Sequence, residues 1–240
     1  MTTPLVQPMA VVAGACRAPW GAAADGLPGA APVELPNVPG FVTSRFSPLV
    51  AAAVDACLGG PQDDSGPVAG RGERTAIVLA TACGDITTTD TATRRMVAGQ
   101  VHSPLLFFQS VTTSVLGHVS KRYGITGPVS CVSDGGELAP RALELAGIML
   151  EDDWLDQVLL IGVDIAAAER VGWVRDHLDG AYPLGPLPRG DAVVALLLRR
   201  GPDTDGPSPA PPPAAPPPAE YGWLAPLVAL CPATGPRPTV

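Results

Sequence analysis

The chain has 240 residues, of which 46% are apolar, and its 23 acidic and 15 basic residues give a net charge of −8. This length and composition suit one sizeable globular domain with a normal core. The acidic balance argues against nucleic acid as a partner, because phosphate binding needs a basic surface.

The cysteines and the N-terminus bear on the compartment. The chain has five widely spaced cysteines without a CxxC pair, namely Cys16, Cys57, Cys83, Cys131 and Cys231. Their spacing fits neither a zinc site nor a disulfide framework, and indicates reduced thiols. No basic leader precedes a hydrophobic stretch, and no apolar run approaches the roughly 18 residues of a membrane span. We therefore expect a cytoplasmic protein with no membrane segment, no metal and no cofactor.

Apolar runs and helical patterns alternate along the chain. Five runs predict buried strands at residues 9–16, 75–81, 129–133, 157–165 and 192–199. Helices are predicted between them at residues 47–58, 86–98, 110–123, 138–149 and 166–178. The first of these helices begins at Ser47-Pro48, with Ser47 as N-cap. Strands that are apolar throughout belong to a sheet covered on both faces, so the pattern predicts a layered α/β/α fold.

The composition changes after residue 200. Residues 207–218 contain eight prolines among Ala and Ser, a polyproline-type spacer that cannot pack a core. We predict a domain at 1–200, a linker at 201–220 and a tail at 221–240. The apolar patch at 223–228 of this tail is suited to dock back on the domain.

The turn between the third strand and its helix is the place where a nucleophile is often presented. Cys131 lies within the strand VSCVS, where a thiol is most often a small core residue. Ser133 lacks the G-x-S-x-G elbow, so a structural role is favoured for it as well. The tip of the turn carries Gly135 and Gly136, which have no side chain.

Other candidate groups are equally weak. His102, His118 and His177 share no metal spacing and are assigned structural or solvated roles. Cys83 begins a Cys-Gly-Asp turn after a strand, and a simple turn is the favoured interpretation. The sequence has no phosphate loop and no G-x-G-x-x-G motif. The residues alone therefore offer no credible catalytic set.

A family resemblance rests on ordered motifs. The runs are SPLLFFQSV, LGHVSKRYGITGP, GGELAPRALELA, QVLLIGVD and DAVVALLLRR. Together they resemble the N-terminal half of β-ketoacyl synthases of the thiolase fold, over residues 9–200. The resemblance implies an α/β fold with a mostly buried mixed sheet.

The resemblance also locates the missing nucleophile. In active ketosynthases a Gly-Pro is followed by seven residues and then by the acyl-accepting Cys. Counting from Gly127-Pro128, the equivalent position is Gly136, and a shift of one residue gives Gly135 or Glu137. The family's catalytic His and Lys residues belong to a C-terminal half, and this sequence carries the Pro-rich tail in its place.

The chain thus resembles the chain-length factors, inactive partners of ketosynthases in type II polyketide synthases. Half-length forms from polyene and aryl polyene systems are the most similar. Full-length members usually carry Gln where this chain has Gly136. The resemblance implies a heterodimer with a β-ketoacyl synthase, indirect contact with an acyl carrier protein, and contact with the growing polyketide chain.

Two sets of residues acquire roles through this resemblance. One is the interface strand, which pairs antiparallel with its mate in the partner: Val129, Ser130, Cys131, Val132, Ser133 and Asp134. The other lines the partner's acyl tunnel: Thr88, Thr91, Arg95, Leu106 and Phe107. The spacing i, i+3, i+7 puts the first three on one helix face.

Three alternatives stay open. The five tunnel residues can serve only to pack the interface. The chain can instead be a thiolase-like acyltransferase that uses Cys131 or Ser133. It can also be a structural homodimeric scaffold.

Overall fold

Five strands form one mixed sheet in a computed structural model, which describes residues 9–18, 34–60, 65–100, 103–165, 169–177, 185–201 and 219–232. The strands are β1 (Met9–Arg17), β2 (Thr75–Ala80), β3 (Val129–Val132), β4 (Gln157–Asp164) and β5 (Ala192–Arg200). Their order is β1-β5-β4-β2-β3; β5 is antiparallel to both neighbours, and β2 is parallel to β4 and β3. All five predicted strands are confirmed within one residue at each end, and so is the mixed sheet.

Helices connect the strands and cover the sheet. They are α1 (Phe46–Leu58), α2 (Ile86–Val97), α3 (Pro104–Ser110), α4 (Ser114–Tyr123), α5 (Leu138–Leu150), α6 (Glu169–His177) and α7 (Ala225–Ala229). A single helix was predicted for residues 110–123, whereas helix α4 begins only at Ser114 and the preceding helix α3 ends at Ser110. The other predicted helices are present where the structure describes them.

The sheet buries a separate core on each face. Along β2, Ile77 and Leu79 point to the face covered by α1 and α4. Ala76 and Val78 point to the opposite face, which α5 and residues 221–228 cover. All four side chains are fully buried. This alternation explains why the strands are apolar throughout, and it confirms the α/β/α layering.

The Ser-Pro dipeptide behaves differently at two helix starts. Ser103 is the N-cap of α3, and its Oγ accepts a hydrogen bond from the backbone N–H of Leu106 at 3.3 Å. The prediction of Ser47 as the N-cap of α1 is wrong, because Ser47 is buried inside the first turn. The Oγ of Ser44 instead accepts from the N–H of Phe46 at 3.0 Å, so the helix starts earlier than predicted.

Residues 219–232, here called the C-terminal segment, pack on the sheet beside α5. Tyr221, Leu224 and Leu227 are fully buried in the second core. They approach β4 at Gly162, where a Cβ would lie 2.6 Å from Leu224 and 3.0 Å from Leu227. The missing side chain of Gly162 therefore makes room for the segment. The predicted linker mostly lies outside the described residues, which resume at 219, and the domain boundaries stay a prediction.

None of the described helices has the length and apolar character that crossing a membrane requires.

Candidate functional site

The turn after β3 is held in place without a reactive side chain. The backbone N–H of Gly136 donates to Asp134 Oδ1 at 3.1 Å, and the N–H of Gly185 donates to the carbonyl of Gly135 at 2.5 Å. Asp134 also pairs with Arg141 on α5 at 3.7 Å. The turn is fixed from both sides, and neither glycine at its tip can act as a nucleophile.

Cys131 and Ser133 lie beside this turn without a base. The assignment of Cys131 to the core is wrong, because β3 is an edge strand and its thiol is exposed in this chain. Partial desolvation raises the pKa of Cys131, which disfavours the reactive thiolate. Ser133 Oγ makes a 3.4 Å contact to the carbonyl of Ala82. Within the described residues, no histidine or carboxylate is hydrogen bonded to either group.

The two described histidines make no hydrogen bond to this turn. His118 lies on α4, and burial lowers its pKa. His177 stacks on Trp173 with ring centroids 4.4 Å apart. His102 lies outside the described residues. In the described part of the chain, no group of His, Cys, Asp and Glu side chains could hold a metal ion.

The Cys-Gly-Asp turn begins helix α2. Gly84 has φ +62°, a left-handed conformation that favours glycine. Asp85 is the N-cap, accepting from the N–H of Thr88 at 3.1 Å and from its Oγ1 at 2.8 Å. Burial raises the pKa of Asp85, and hydrogen bonds from Ser44 and Thr88 oppose the rise. The fully buried Thr88 therefore serves the helix start.

The predicted tunnel residues divide between two cavities. Arg95, Leu106 and Phe107 line an apolar cavity of about 460 Å³ between α2 and α3. Thr91 lines a separate polar cavity of about 610 Å³. The structure thus brings three of the five residues together, whereas Thr88 lies within the fold.

The polar cavity is bounded by paired charges. Asp90 on α2 accepts from Arg94 at 2.7 Å and lies 2.7 Å from a guanidinium nitrogen of Arg170 on α6. On the other side, Arg45 and Asp191 are 3.5 Å apart. The ion pair between Asp90 and Arg170 holds helix α6 against α2. Because each arginine has an acidic neighbour, the cavity carries no excess positive charge.

Exposed apolar side chains lie on the two helices that form the 460 Å³ cavity, and two of them, Met96 and Phe107, line it. On α2, Met96 is 56% and Val97 83% exposed, and on α3 Phe107 is 72% exposed. Leu105 and Phe108 on α3 are also exposed, and the Phe108 ring lies 5.4 Å from that of Phe41. We call these five residues the α2–α3 surface. Contiguous apolar patches of this kind mark contact sites between proteins. The sequence signal was the LLFF run and the Met-Val pair at a helix end, of which only Leu106 and Phe107 were singled out.

The sheet ends at β3 with an edge that no described strand covers. Residues Val129–Val132 pair with Ile77–Ala80 of β2 on one side only. Val129 is itself exposed. An open edge with exposed apolar side chains is a site for strand addition or aggregation.

A buried carboxylate connects the end of β2 and the Cys-Gly-Asp turn to the C-terminal segment. Asp164, at the end of β4, accepts from Thr81 Oγ1 at 2.9 Å, from the N–H of Cys83 at 3.0 Å and from the N–H of Ala82 at 3.1 Å. A fourth bond comes from Trp223 Nε1 at 2.5 Å. Burial raises the pKa of Asp164, and the four hydrogen bonds oppose the rise. Sequence reasoning missed this group, since its partners come from distant segments.

No family model and no curated protein matches this sequence. Solved structures do match. A chain of a ketosynthase in complex with its chain length factor from Xenorhabdus doucetiae has a TM-score of 0.58 and 21% identity, covering 80% of this chain and 79% of that one. A chain of the ishigamide ketosynthase/chain length factor has a TM-score of 0.60 and 17% identity, covering 82% and 63%.

A third match belongs to a type II polyketide synthase acyl carrier protein in complex with its ketosynthase bound to the hexaketide. It has a TM-score of 0.59 and 16% identity, covering 81% of this chain and 58% of that chain. The chain therefore spans less than two thirds of the second and third matched chains. At these identities the matches show a shared fold, and the chain has the α/β fold of ketosynthase-type subunits.

Proposed function

We propose, from the premise of a ketosynthase-type fold, that this chain is a non-catalytic chain-length factor. It pairs with an active β-ketoacyl synthase and shapes the acyl tunnel in type II polyketide biosynthesis of the polyene type. The observation that carries the proposal is the α2–α3 surface, of which Met96 and Phe107 line an apolar cavity. The acyl carrier protein then reaches the complex through the partner.

A missing nucleophile supports the non-catalytic role. Gly136 occupies the position at which the resemblance places the acyl-accepting Cys. The nearest thiol is Cys131, whose pKa is raised by desolvation and which has no hydrogen-bonded base among the described residues. An acyltransferase needs an activated nucleophile. The partner must therefore supply the covalent chemistry.

The open edge supports a partner of the same fold. Strand β3 offers unpaired backbone groups beside exposed Val129. A strand from a second subunit would satisfy these groups and extend the sheet. The α2–α3 surface adds the apolar area that an obligate contact requires. An interface strand and an apolar helix surface together fit a heterodimer better than a transient encounter.

The cavity supports a role in chain length. Its volume of about 460 Å³ lies within the roughly 300–1,000 Å³ of small-molecule sites. Ala92, Leu106 and Phe107 make its wall apolar, and among the described residues that line it only Arg95 is charged. Because Met96 and Phe107 are exposed, the cavity opens on the α2–α3 surface. A docked ketosynthase would close it and turn it into the end of a tunnel.

The experiment is co-expression with a candidate partner β-ketoacyl synthase from the same genome, followed by product analysis. We expect the two subunits to purify together and Ala92→Phe, which fills the cavity, to shorten the product. Thr91→Phe is the matched control, because Thr91 faces the polar cavity. Separate purification refutes the heterodimer, and an unchanged product length with Ala92→Phe refutes the tunnel. Shortening by Thr91→Phe alone would move the tunnel to the polar cavity.

The rivals predict different results. An acyltransferase using Cys131 or Ser133 would gain the mass of an acyl group when incubated with an acyl thioester. A scaffold would form a stable homodimer through the same exposed surface, which size-exclusion chromatography of the chain alone detects.

A further inference from the structure

Two cysteines from opposite ends of the sequence meet at strand β1. Cys16 is fully buried on β1, and Cys231 follows α7 in the C-terminal segment. Both side chains pack in the second core, where Tyr221 Oη lies 3.9 Å from Cys16 Sγ. The segment crosses β1 closely, since a Cβ on Gly14 would lie 2.9 Å from Pro232. Both cysteines are thiols in the structure.

This pair differs from the buried Cys57. Burial raises the pKa of Cys57 to about 12, so its thiol stays protonated. At Cys16 the hydrogen bond from Cys231 stabilises the thiolate and holds the pKa below its usual value. The same interaction and burial raise the pKa of Cys231, so once one proton has been lost the charge rests mainly on Cys16 and the remaining proton on Cys231. Cys231 is also half-buried and reachable from solvent, whereas Cys16 is not.

We propose that Cys16 and Cys231 are a modification site, which a small peroxide oxidises to an intrachain disulfide that fastens the C-terminal segment to β1. The site is independent of the function proposed above. It requires only the contact between the two thiols and access of an oxidant to Cys231.

The chemistry balances with one peroxide. The proton of Cys231 moves to the Cys16 thiolate as the sulfur of Cys231 attacks an oxygen of hydrogen peroxide. The O–O bond breaks, and the leaving hydroxide takes up that proton to become water. The sulfenic acid formed on Cys231 is then attacked by the Cys16 thiolate. An S–S bond forms, the S–O bond breaks, and the second hydroxide becomes water with the remaining proton. Two thiols are oxidised and one peroxide is reduced to two waters.

The bond would hold a segment that reaches the centre of the fold. Trp223 donates to the buried Asp164, and the N–H of Trp223 donates to the carbonyl of Pro186 at 2.7 Å. The N–H of Gly185 in turn bonds the turn glycine Gly135. A covalent link at Cys231 therefore secures the contacts that fix this turn.

The test uses the full chain with Cys83→Ser and Cys131→Ser, which removes the other two thiols that are not fully buried. After treatment with hydrogen peroxide, we expect an intact mass lower by two hydrogens and a non-reduced digest with one peptide joining Cys16 to Cys231. Dithiothreitol should reverse both. The melting temperature should rise by roughly 4–16 °C, because a disulfide stabilises mainly by restricting the unfolded chain.

The control adds Cys231→Ser, which should show neither the mass loss nor the rise in melting temperature. Cys57, which is fully buried in the other core, should stay reduced throughout. Recovery of Cys16 and Cys231 as separate thiols or higher oxides overturns the proposal. A crosslink without a rise in melting temperature overturns the fastening role. Both readouts use the chain without a partner, so their failure is distinct from a failure to bind a ketosynthase.

Discussion

Trp223→Phe tests whether the C-terminal segment belongs to the folded core. The substitution keeps an aromatic ring but removes the Nε1–H that donates to Asp164 at 2.5 Å. A hydrogen bond to a charged group contributes about 1.5–3 kcal/mol, and the smaller ring leaves a void of about 1 kcal/mol. We therefore expect the free energy of unfolding to fall by about 2.5–4 kcal/mol.

The measurement is urea denaturation followed by far-UV circular dichroism, which does not depend on tryptophan emission. The midpoint should fall while the slope stays constant. Trp173→Phe is the matched control, because Trp173 is 57% exposed on α6, and its change should stay within about 0.5 kcal/mol. An equally small change for Trp223→Phe would refute the docking of the segment through Asp164.

The same variant carries a pH signature. Burial raises the pKa of Asp164 in the folded state, so its contribution to stability is greatest below the unfolded pKa and is lost as pH rises through the folded pKa. The Trp223 donor stabilises the carboxylate more than the acid. The deficit of Trp223→Phe should therefore be smaller at acid pH than at pH 7.

Three further predictions concern the surface. Arg74 pairs with Asp156 at 2.7 Å and lowers the pKa of Asp156. The stability that this ion pair contributes is therefore present above the unfolded pKa of Asp156 and is lost as pH falls through the folded pKa. Arg74→Gln should lower the melting temperature at pH 7 but not at about pH 2. Val97→Lys should leave the stability of the chain within about 0.5 kcal/mol yet abolish co-purification with a ketosynthase, whereas Ile148→Lys on α5 should do neither. Cys131 should react with a maleimide in the free chain and be protected in the complex; equal labelling in both would contradict an interface at β3.

The strands were the most predictable part of the fold. Runs such as Ile77–Ala80 are apolar because both faces of the sheet are covered, and that physical requirement is visible in the sequence. The start of α1 was less predictable. Ser47 is a residue type that favours N-caps, and a proline follows it. The burial of Phe46 and the hydrogen bond from its N–H to Ser44 nevertheless make the helix begin one residue earlier.

The candidate site was harder to predict from the sequence, because it depends on contacts between distant segments. Helical spacing put Thr88 and Thr91 on one face with Arg95, yet spacing does not show that Asp85 recruits Thr88 for the helix start. The apolar pattern alone did not show that Cys131 is exposed, since an edge strand and a central strand have similar sequences, whereas the resemblance placed it on an interface strand.

The sheet order has a consequence for the timing of folding. Strand β1 begins at Met9 and pairs with β5, which ends at Arg200, so the first strand made must wait for the last. Pairings between such distant segments form slowly. During synthesis, β1 therefore remains an unsatisfied strand until β5 has left the ribosome. A chaperone that shields residues 9–17 during this interval should raise the yield of folded protein more than one acting after release.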